Sequence, residues 1–221
     1  MSWGEVRTPH DIVPTVLTGS GSMLSAIIAT HDSERTLVPT LTALVPAAAT
    51  GFLAGVVVAD VGSRDATAEV AELAGCKFIC FAQPVGAVLK AAAASTRTPW
   101  LMFLRAGIIP QFGWIDAAET FIQETDMIDG SARAAVFRPP GPSDYLRPTF
   151  ADIGGLLRAA LGGGPKPEQG LLIARRFYDS IGGHPAGGNA EVAFLRRLGR
   201  KRMAMLPAGV RVSTLGARAD T

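Results

Sequence analysis

Cysteine and histidine are scarce in this chain, and their scarcity removes two functional classes. Two cysteines, Cys76 and Cys80, and three histidines, His10, His31 and His184, are spread over 221 residues. Two thiols are too few for a disulfide framework, and the spacing of the histidines matches no zinc site. Both cysteines fall in "GCKFICF" on one face of an expected strand and read as small buried hydrophobes of a reducing cytoplasm. Charge is also sparse, at 18% of residues with a formal net charge of +2. The densest basic stretch, "RRLGRKR" at 196–202, reads as a helix end where cations complement the dipole. A nucleic-acid binder carries a broader basic surface, so none is expected as a partner. No apolar run is long enough to span a bilayer. Pro46, Gly51 and Gly55 break "LVPAAATGFLAGVVVAD" into a helix end, a loop and a strand. No basic start followed by an apolar stretch opens the chain, so no signal peptide is expected and the location reads as cytoplasmic.

What is present is a hydrophobic chain, 48% apolar by count, sufficient for one substantial core. Residues 1–22 differ from the rest. "MSWGEVRTPHDIVPTVLT" is followed by "GSGS" and then by Met23 at the start of a strand. This segment reads as an attached peptide or flexible tail with a Gly/Ser linker, leaving 23–221 as the domain. Trp3, Val6, Ile12, Val13, Val16 and Leu17 give it apolar anchors, and its two prolines favour an extended form.

From Met23 onward strands and helices alternate. Strands are expected at 24–30, 55–61, 77–82, 100–104, 133–138 and 170–175, with one or two more at the end. Helices are expected at 33–44, after Ser63, at 86–96, 113–125, 148–161 and 189–199. Ser33 is a candidate cap for the first helix, and Ser63 or Asp65 for the second. The alternation predicts an α/β fold, a mostly parallel sheet with helices on both faces in a single domain.

In such sheets ligands bind beyond the carboxyl ends of the strands. Three ends carry polar groups: Thr30-His31-Asp32, Asp60-Val61-Gly62-Ser63 and Arg105-Ala106-Gly107. If these strands are neighbours, the ends share one rim. Asp60 closes the run Val56-Val57-Val58-Ala59, where a carboxylate is costly without a partner or solvent; a capping or turn role explains it equally well. Gly62 and Ser63 allow backbone N–H groups to approach an anion at a helix N-terminus.

"LSAIIATHDSERTLVPTLTAL", "GVVVADVGSRDATAEVAELAG", "WLMFLRAGI" and "PEQGLLIARRFYDSIGGHP…NAEVAFLRRLGR" resemble, in order, the successive blocks of family 2 glycosyltransferases. The resemblance spans nearly all of 23–215. It implies a GT-A (Rossmann-like) fold, a nucleotide-sugar donor, usually UDP-linked, and an acceptor hydroxyl. It further implies that Thr30, Asp32 and Glu34 lie where the first loop meets the nucleotide, and that Asp60 matches the base-recognising aspartate. Ala29 stands in place of a proline and Val61 in place of a frequent second aspartate. The metal-binding Asp-x-Asp pattern is replaced by Arg105-Ala106-Gly107. Without those carboxylates the usual divalent cation, which needs oxygen ligands, is not expected. The family's late Glu-Asp pair reads Ala190-Glu191, so Glu191 keeps a carboxylate at the position of the catalytic base, or is simply a first-turn acid favoured by the helix dipole.

Two readings of Arg105 remain. In one the chain is a transferase whose guanidinium replaces the metal at the leaving diphosphate. In the other it is a catalytically inactive scaffold that binds a partner such as the peptide 1–18, with Arg105 paired to Asp60 or Asp32.

Overall fold

The computed structural model describes residues 23–128, 132–139 and 164–213. The N-terminal segment 1–22 and the helix expected at 148–161 lie outside the described residues. Strands β1 (Leu24–Thr30), β2 (Leu53–Asp60), β3 (Lys77–Cys80) and β4 (Trp100–Arg105) alternate with helices α1 (Glu34–Ala49), α2 (Thr67–Leu73) and α3 (Val85–Ala94). There follow β5 (Ile108–Pro110), α4 (Trp114–Asp126), β6 (Ala134–Arg138), β7 (Leu171–Ala174), α5 (Arg175–Ser180), α6 (Ala190–Leu198) and β8 (Met203–Val212).

Eight strands form one sheet in the order β3-β2-β1-β4-β7-β6-β8-β5. The β3-β2-β1-β4 half is parallel, and β7 joins it antiparallel against β4. Leu24, Ala26, Ile27 and Ile28 of β1 are fully buried, as are Leu101 and Met102 of β4. Consecutive buried residues mean that both sheet faces are covered, as parallel strands require. Helices α1 and α2 pack together, whereas α3 packs on β2 and β1. With right-handed crossovers, α3 returns the chain to β4 over the opposite face. The sheet therefore reverses direction of growth between β1 and β4, which is where an α/β sheet opens a crevice.

Two devices hold the elements around the sheet in place, one beside the crevice and one at the far end of β4. A Cβ at Gly86 on α3 would lie 1.9 Å from the Pro185 carbonyl oxygen and 2.5 Å from the Ala190 Cβ, so glycine permits α3 and α6 to approach. Arg175 ties the connection into β4, donating from Nε to the Thr98 carbonyl at 2.7 Å and from Nη1 to the Ala93 carbonyl at 2.9 Å.

Several local expectations need correction. Helix α1 continues through Pro46 to Ala49, with Gly51 just beyond it in the left-handed region, and β2 starts at Leu53. Pro46 faces solvent, where the carbonyl deprived of its partner meets water, and Ala47 is fully buried. Ser33 sits at the cap position of α1, but its Oγ bonds the backbone of His31 instead. Of the two candidates expected at the start of α2, Asp65 is the one that accepts from the Thr67 N–H, at 3.0 Å. The cysteines are not a buried pair: Cys76 precedes β3 and is half-buried, and Cys80 ends the strand exposed. Trp100 packs edge-on to Phe121 with ring centroids 5.9 Å apart, which joins β4 to α4 in the main core.

Candidate functional site

The three expected strand ends do form one rim. Thr30 lies opposite Asp60 across β1 and β2, and Arg105 lies opposite Ala29 across β1 and β4. Around this rim the structure assembles two polar clusters and a buried aromatic wall.

The first cluster is the interlocked pair of loops that follow β1 and β2. Asp60 is fully buried. Its Oδ2 accepts from the Thr30 hydroxyl at 2.7 Å and the Ser63 hydroxyl at 2.5 Å. Its Oδ1 accepts from the backbone N–H groups of Gly62 at 2.8 Å and Ser63 at 2.7 Å. The Cys80 thiol approaches the same oxygen at 3.4 Å. Burial pushes the carboxyl pKa up, but the Ser63, Thr30 and Gly62 donors outweigh it and leave it below the usual aspartate value. The charge that a buried strand end would reject is thus kept by the loop it organises.

The other nucleotide candidates lock the two loops to each other. The Asp32 N–H donates to the Ser63 Oγ at 2.8 Å, and the Asp32 carboxylate accepts from the Arg64 N–H at 2.7 Å. The Glu34 N–H donates to Asp65 at 2.9 Å, while the Glu34 carboxylate accepts from the Ala66 N–H at 3.2 Å. Asp32 has φ 46°, the only non-glycine residue in the left-handed region among the described residues. Such backbone persists only where its surroundings hold it, and here both its N–H and its side chain are held. Thr30, Asp32, Glu34, Asp60, Gly62 and Ser63 therefore form one cluster.

The second cluster joins the two residues expected to act separately. Arg105 and Glu191 bond each other: Nε lies 3.0 and 2.9 Å from the two carboxylate oxygens, and Nη2 lies 2.6 Å from Oε2. Nη1 reaches the Glu168 carboxylate at 3.4 Å. Neither Asp60 nor Asp32 is the partner, contrary to the expectation for an inert cleft. Asp60 is already saturated by its own loop, whereas α6 and the 3-10 turn Pro167–Gln169 carry Glu191 and Glu168 to the β4 side. Glu191 is largely buried at 16% side-chain exposure, and Arg105 is half-buried at 41%. The Glu191 hydrogen bonds raise the already high Arg105 pKa, against the opposing effect of burial.

Sequence reasoning passed over Glu168, although it lay inside the quoted block "PEQG". Its turn is firmly built: Gln169, buried, donates to the Phe137 carbonyl at 2.8 Å and accepts from the Lys166 N–H at 2.9 Å. The donor set around Arg105 suits a hard dication poorly, since both nearby carboxylates are engaged by a fixed positive charge. Among the described residues no group of three His, Cys, Asp or Glu side chains converges as a metal site would require.

Behind Glu191 stands an aromatic wall. The His184 ring stacks on Phe194 at 4.5 Å and meets Phe103 edge-on at 4.7 Å. Tyr178 and His184 Nδ1 are 3.0 Å apart, and the His184 N–H also donates to the Tyr178 hydroxyl. The direction of the bond between the phenol and Nδ1 is set by the tautomer of the imidazole. Burial, aided by Arg197, drives the His184 pKa down to about 3. Burial likewise raises that of Tyr178 to about 12. His184 is a neutral wall residue and not an acid at physiological pH. Gly183 precedes it with φ +68°, and a Cβ there would touch the Tyr178 ring at 2.9 Å. His184, Glu191, Phe103 and Phe194 line a cavity of about 20 Å³, enough for roughly one water molecule.

No family model matches the sequence, and no curated protein does. Solved structures of similar shape do match. One is glucosyl-3-phosphoglycerate synthase from Mycobacterium tuberculosis in complex with Mn2+, UDP and glucosyl-3-phosphoglycerate. It matches with a TM-score of 0.60 at 18% identity, over 89% of this chain and 75% of that one. The same enzyme with Mn2+ and UDP-glucose gives 0.58 at 17% identity, covering 89% and 74%. With UDP it gives 0.59 at 19% identity, covering 84% and 69%. The fold is GT-A. At this identity the likeness speaks for architecture, and the chemistry rests on the residues at the rim. Among the described residues no helix is long and apolar enough to cross a membrane.

Proposed function

We propose that this chain transfers a glycosyl group from a nucleotide-sugar donor, UDP-linked as in the similar structures, with Arg105 doing the electrostatic work usually given to a metal ion. One observation carries the reading: a guanidinium stands at the end of β4, at the crevice where the sheet reverses, with a carboxylate from α6 against it. Thr30, Asp32 and the Asp60-organised turn with Gly62 and Ser63 receive the nucleoside. In the transfer step an acceptor hydroxyl oxygen forms a bond to the anomeric carbon as the bond from that carbon to the phosphate oxygen breaks. The electron pair leaves with the diphosphate, whose charge Arg105 offsets. The hydroxyl proton passes to Glu191. Two thiols with no disulfide suit a reducing compartment such as the cytoplasm.

Support comes from the fold, from its similarity to structures named for UDP-glucose and phosphoglycerate, and from the geometry at Arg105. The test is release of UDP from UDP-glucose, followed by chromatography, with phosphoglycerate as the first acceptor tried and EDTA present throughout. UDP release that is lost in Arg105→Ala supports the proposal, and the absence of both UDP binding and release overturns it.

A second reading has an observation of its own. Glu191 and Arg105 neutralise each other, as they would in a scaffold that binds without turnover. That reading expects amide-exchange protection across residues 1–18 in the full chain and no UDP binding.

A further inference from the structure

The Arg105 cluster contains a conflict that the transfer chemistry has to resolve. Glu191 places both carboxylate oxygens on the guanidinium, at 2.6 to 3.0 Å. A carboxylate held this way has both of its oxygens engaged by Arg105. Arg105 in turn spends its Nε and one Nη2 hydrogen on Glu191 and one Nη1 hydrogen on Glu168, three of the five donors a guanidinium has. Its formal charge is exceeded by the two carboxylates around it. Neither partner is loosely placed. Glu191 lies in the first turn of α6, whose first residue, Ala190, is buried against Gly86. Glu168 rides on the turn that buried Gln169 clamps to Phe137.

We propose that Glu191 and Glu168 are the internal counter-anion of Arg105, that a donor's diphosphate binds there in competition with them, and that this competition frees the Glu191 carboxylate. Glu168, with its single contact at 3.4 Å, is the lesser of the two anions that the diphosphate displaces. The device imposes an order: the base becomes available only after the diphosphate has arrived, which keeps an acceptor from being deprotonated at an empty site. The ligand class is a nucleoside diphosphate or its sugar ester, recognised at this point through phosphate oxygens alone. The inference rests on the transfer reading for its meaning, but its test does not need uridine or sugar.

The probe is inorganic pyrophosphate, titrated calorimetrically in EDTA into the full chain and its variants, each checked for folding by thermal melt. Glu191→Gln tightens pyrophosphate binding at least about fivefold, the low end of coupling between sites. Glu168→Gln tightens it by less, because it gives up one long contact. Arg105→Ala abolishes binding, and Arg105→Ala/Glu191→Gln does not recover it. Removing a carboxylate beside a cation favours any anion through charge alone, so the affinities are read together with the position of Glu191 in the pyrophosphate complex. Unchanged or weaker affinity in folded Glu191→Gln overturns the proposal, as does the absence of binding to every variant. If Glu191→Gln does not fold, Glu168→Gln decides by the same criterion. A crystal structure of the pyrophosphate complex reads the release directly: an intact Arg105–Glu191 contact there overturns it. Tightened pyrophosphate binding without UDP-glucose turnover leaves the competition standing and fails the transfer reading. Turnover without tightening fails the competition alone.

Discussion

Replacing Asp60 by asparagine keeps the shape of the loop after β2 and removes its charge. In the native chain four N–H and O–H groups point at the carboxylate, at 2.5 to 2.8 Å. Hydrogen bonds to a charged group contribute about 1.5–3 kcal/mol each, and neutral ones about 1 kcal/mol. In Asp60→Asn the Oδ1 atom still accepts from Gly62 and Ser63, though as a neutral acceptor. The Oδ2 position becomes an NH2 group facing the Thr30 and Ser63 hydroxyls, which must turn from donors into acceptors. Ser63 Oγ is already an acceptor for the Asp32 N–H, so the change is felt in the β1 loop as well. Summing two weakened and two reversed bonds gives a loss of about 2–3 kcal/mol. Asp60→Ala leaves the Thr30 hydroxyl buried without a partner and costs about 4 kcal/mol. Urea denaturation at neutral pH, read at constant m value, measures both. Calorimetry with UDP in parallel shows weakened binding in Asp60→Asn. A loss below about 1 kcal/mol in both variants, with UDP affinity intact, would refute the claim that this carboxylate organises the site. The sign with pH is fixed by the lowered folded pKa: the contribution is present above the ordinary aspartate value of 3.8 and disappears as pH falls below it.

His184 gives an acid-sensitive contribution in a different window. Its folded pKa of about 3 lies below the ordinary 6.5, so the unfolded chain binds the extra proton and stability falls as pH drops from 6.5 towards 3. The full effect is on the order of 5 kcal/mol, and His184→Gln flattens the stability profile between those limits. Gly86→Ala drives a Cβ into the Pro185 backbone and is expected to cost at least about 2 kcal/mol through displacement of α3 from α6, measured by thermal unfolding. Arg175→Lys removes the fork that reaches Thr98 and Ala93, and a loss of about 2 kcal/mol follows if those carbonyls matter; an unchanged melting temperature would show that they do not.

Much of this architecture was legible because the parallel strands are runs of apolar residues bounded by turn chemistry, as in "LSAIIAT" and "WLMFL". The alternation of strand and helix predicts a parallel sheet, but which strand ends are neighbours is decided by the order β3-β2-β1-β4. The place of Arg105 at the end of its strand was legible, and its place on a shared rim was conditional on that order. Its partners were not: Glu191 and Glu168 lie 86 and 63 residues away in sequence, and only the antiparallel return of β7 beside β4 brings them there. The continuation of α1 through Pro46 was missed because a proline's lost hydrogen bond is tolerable on a wet helix face. His184 in "GGHP" reads equally as a residue bordering the acceptor side or as ordinary loop, and nothing in the sequence places its ring in a wall with Tyr178 and Phe194.

The central claim is that Arg105 binds the donor diphosphate without a metal ion. UDP titrated calorimetrically into the full chain, once in EDTA and once with manganese, tests it most directly when repeated on Arg105→Ala. Equal affinity in the two buffers, lost in the variant, is the expected result. Binding that requires manganese, or that survives Arg105→Ala unchanged, would contradict the claim.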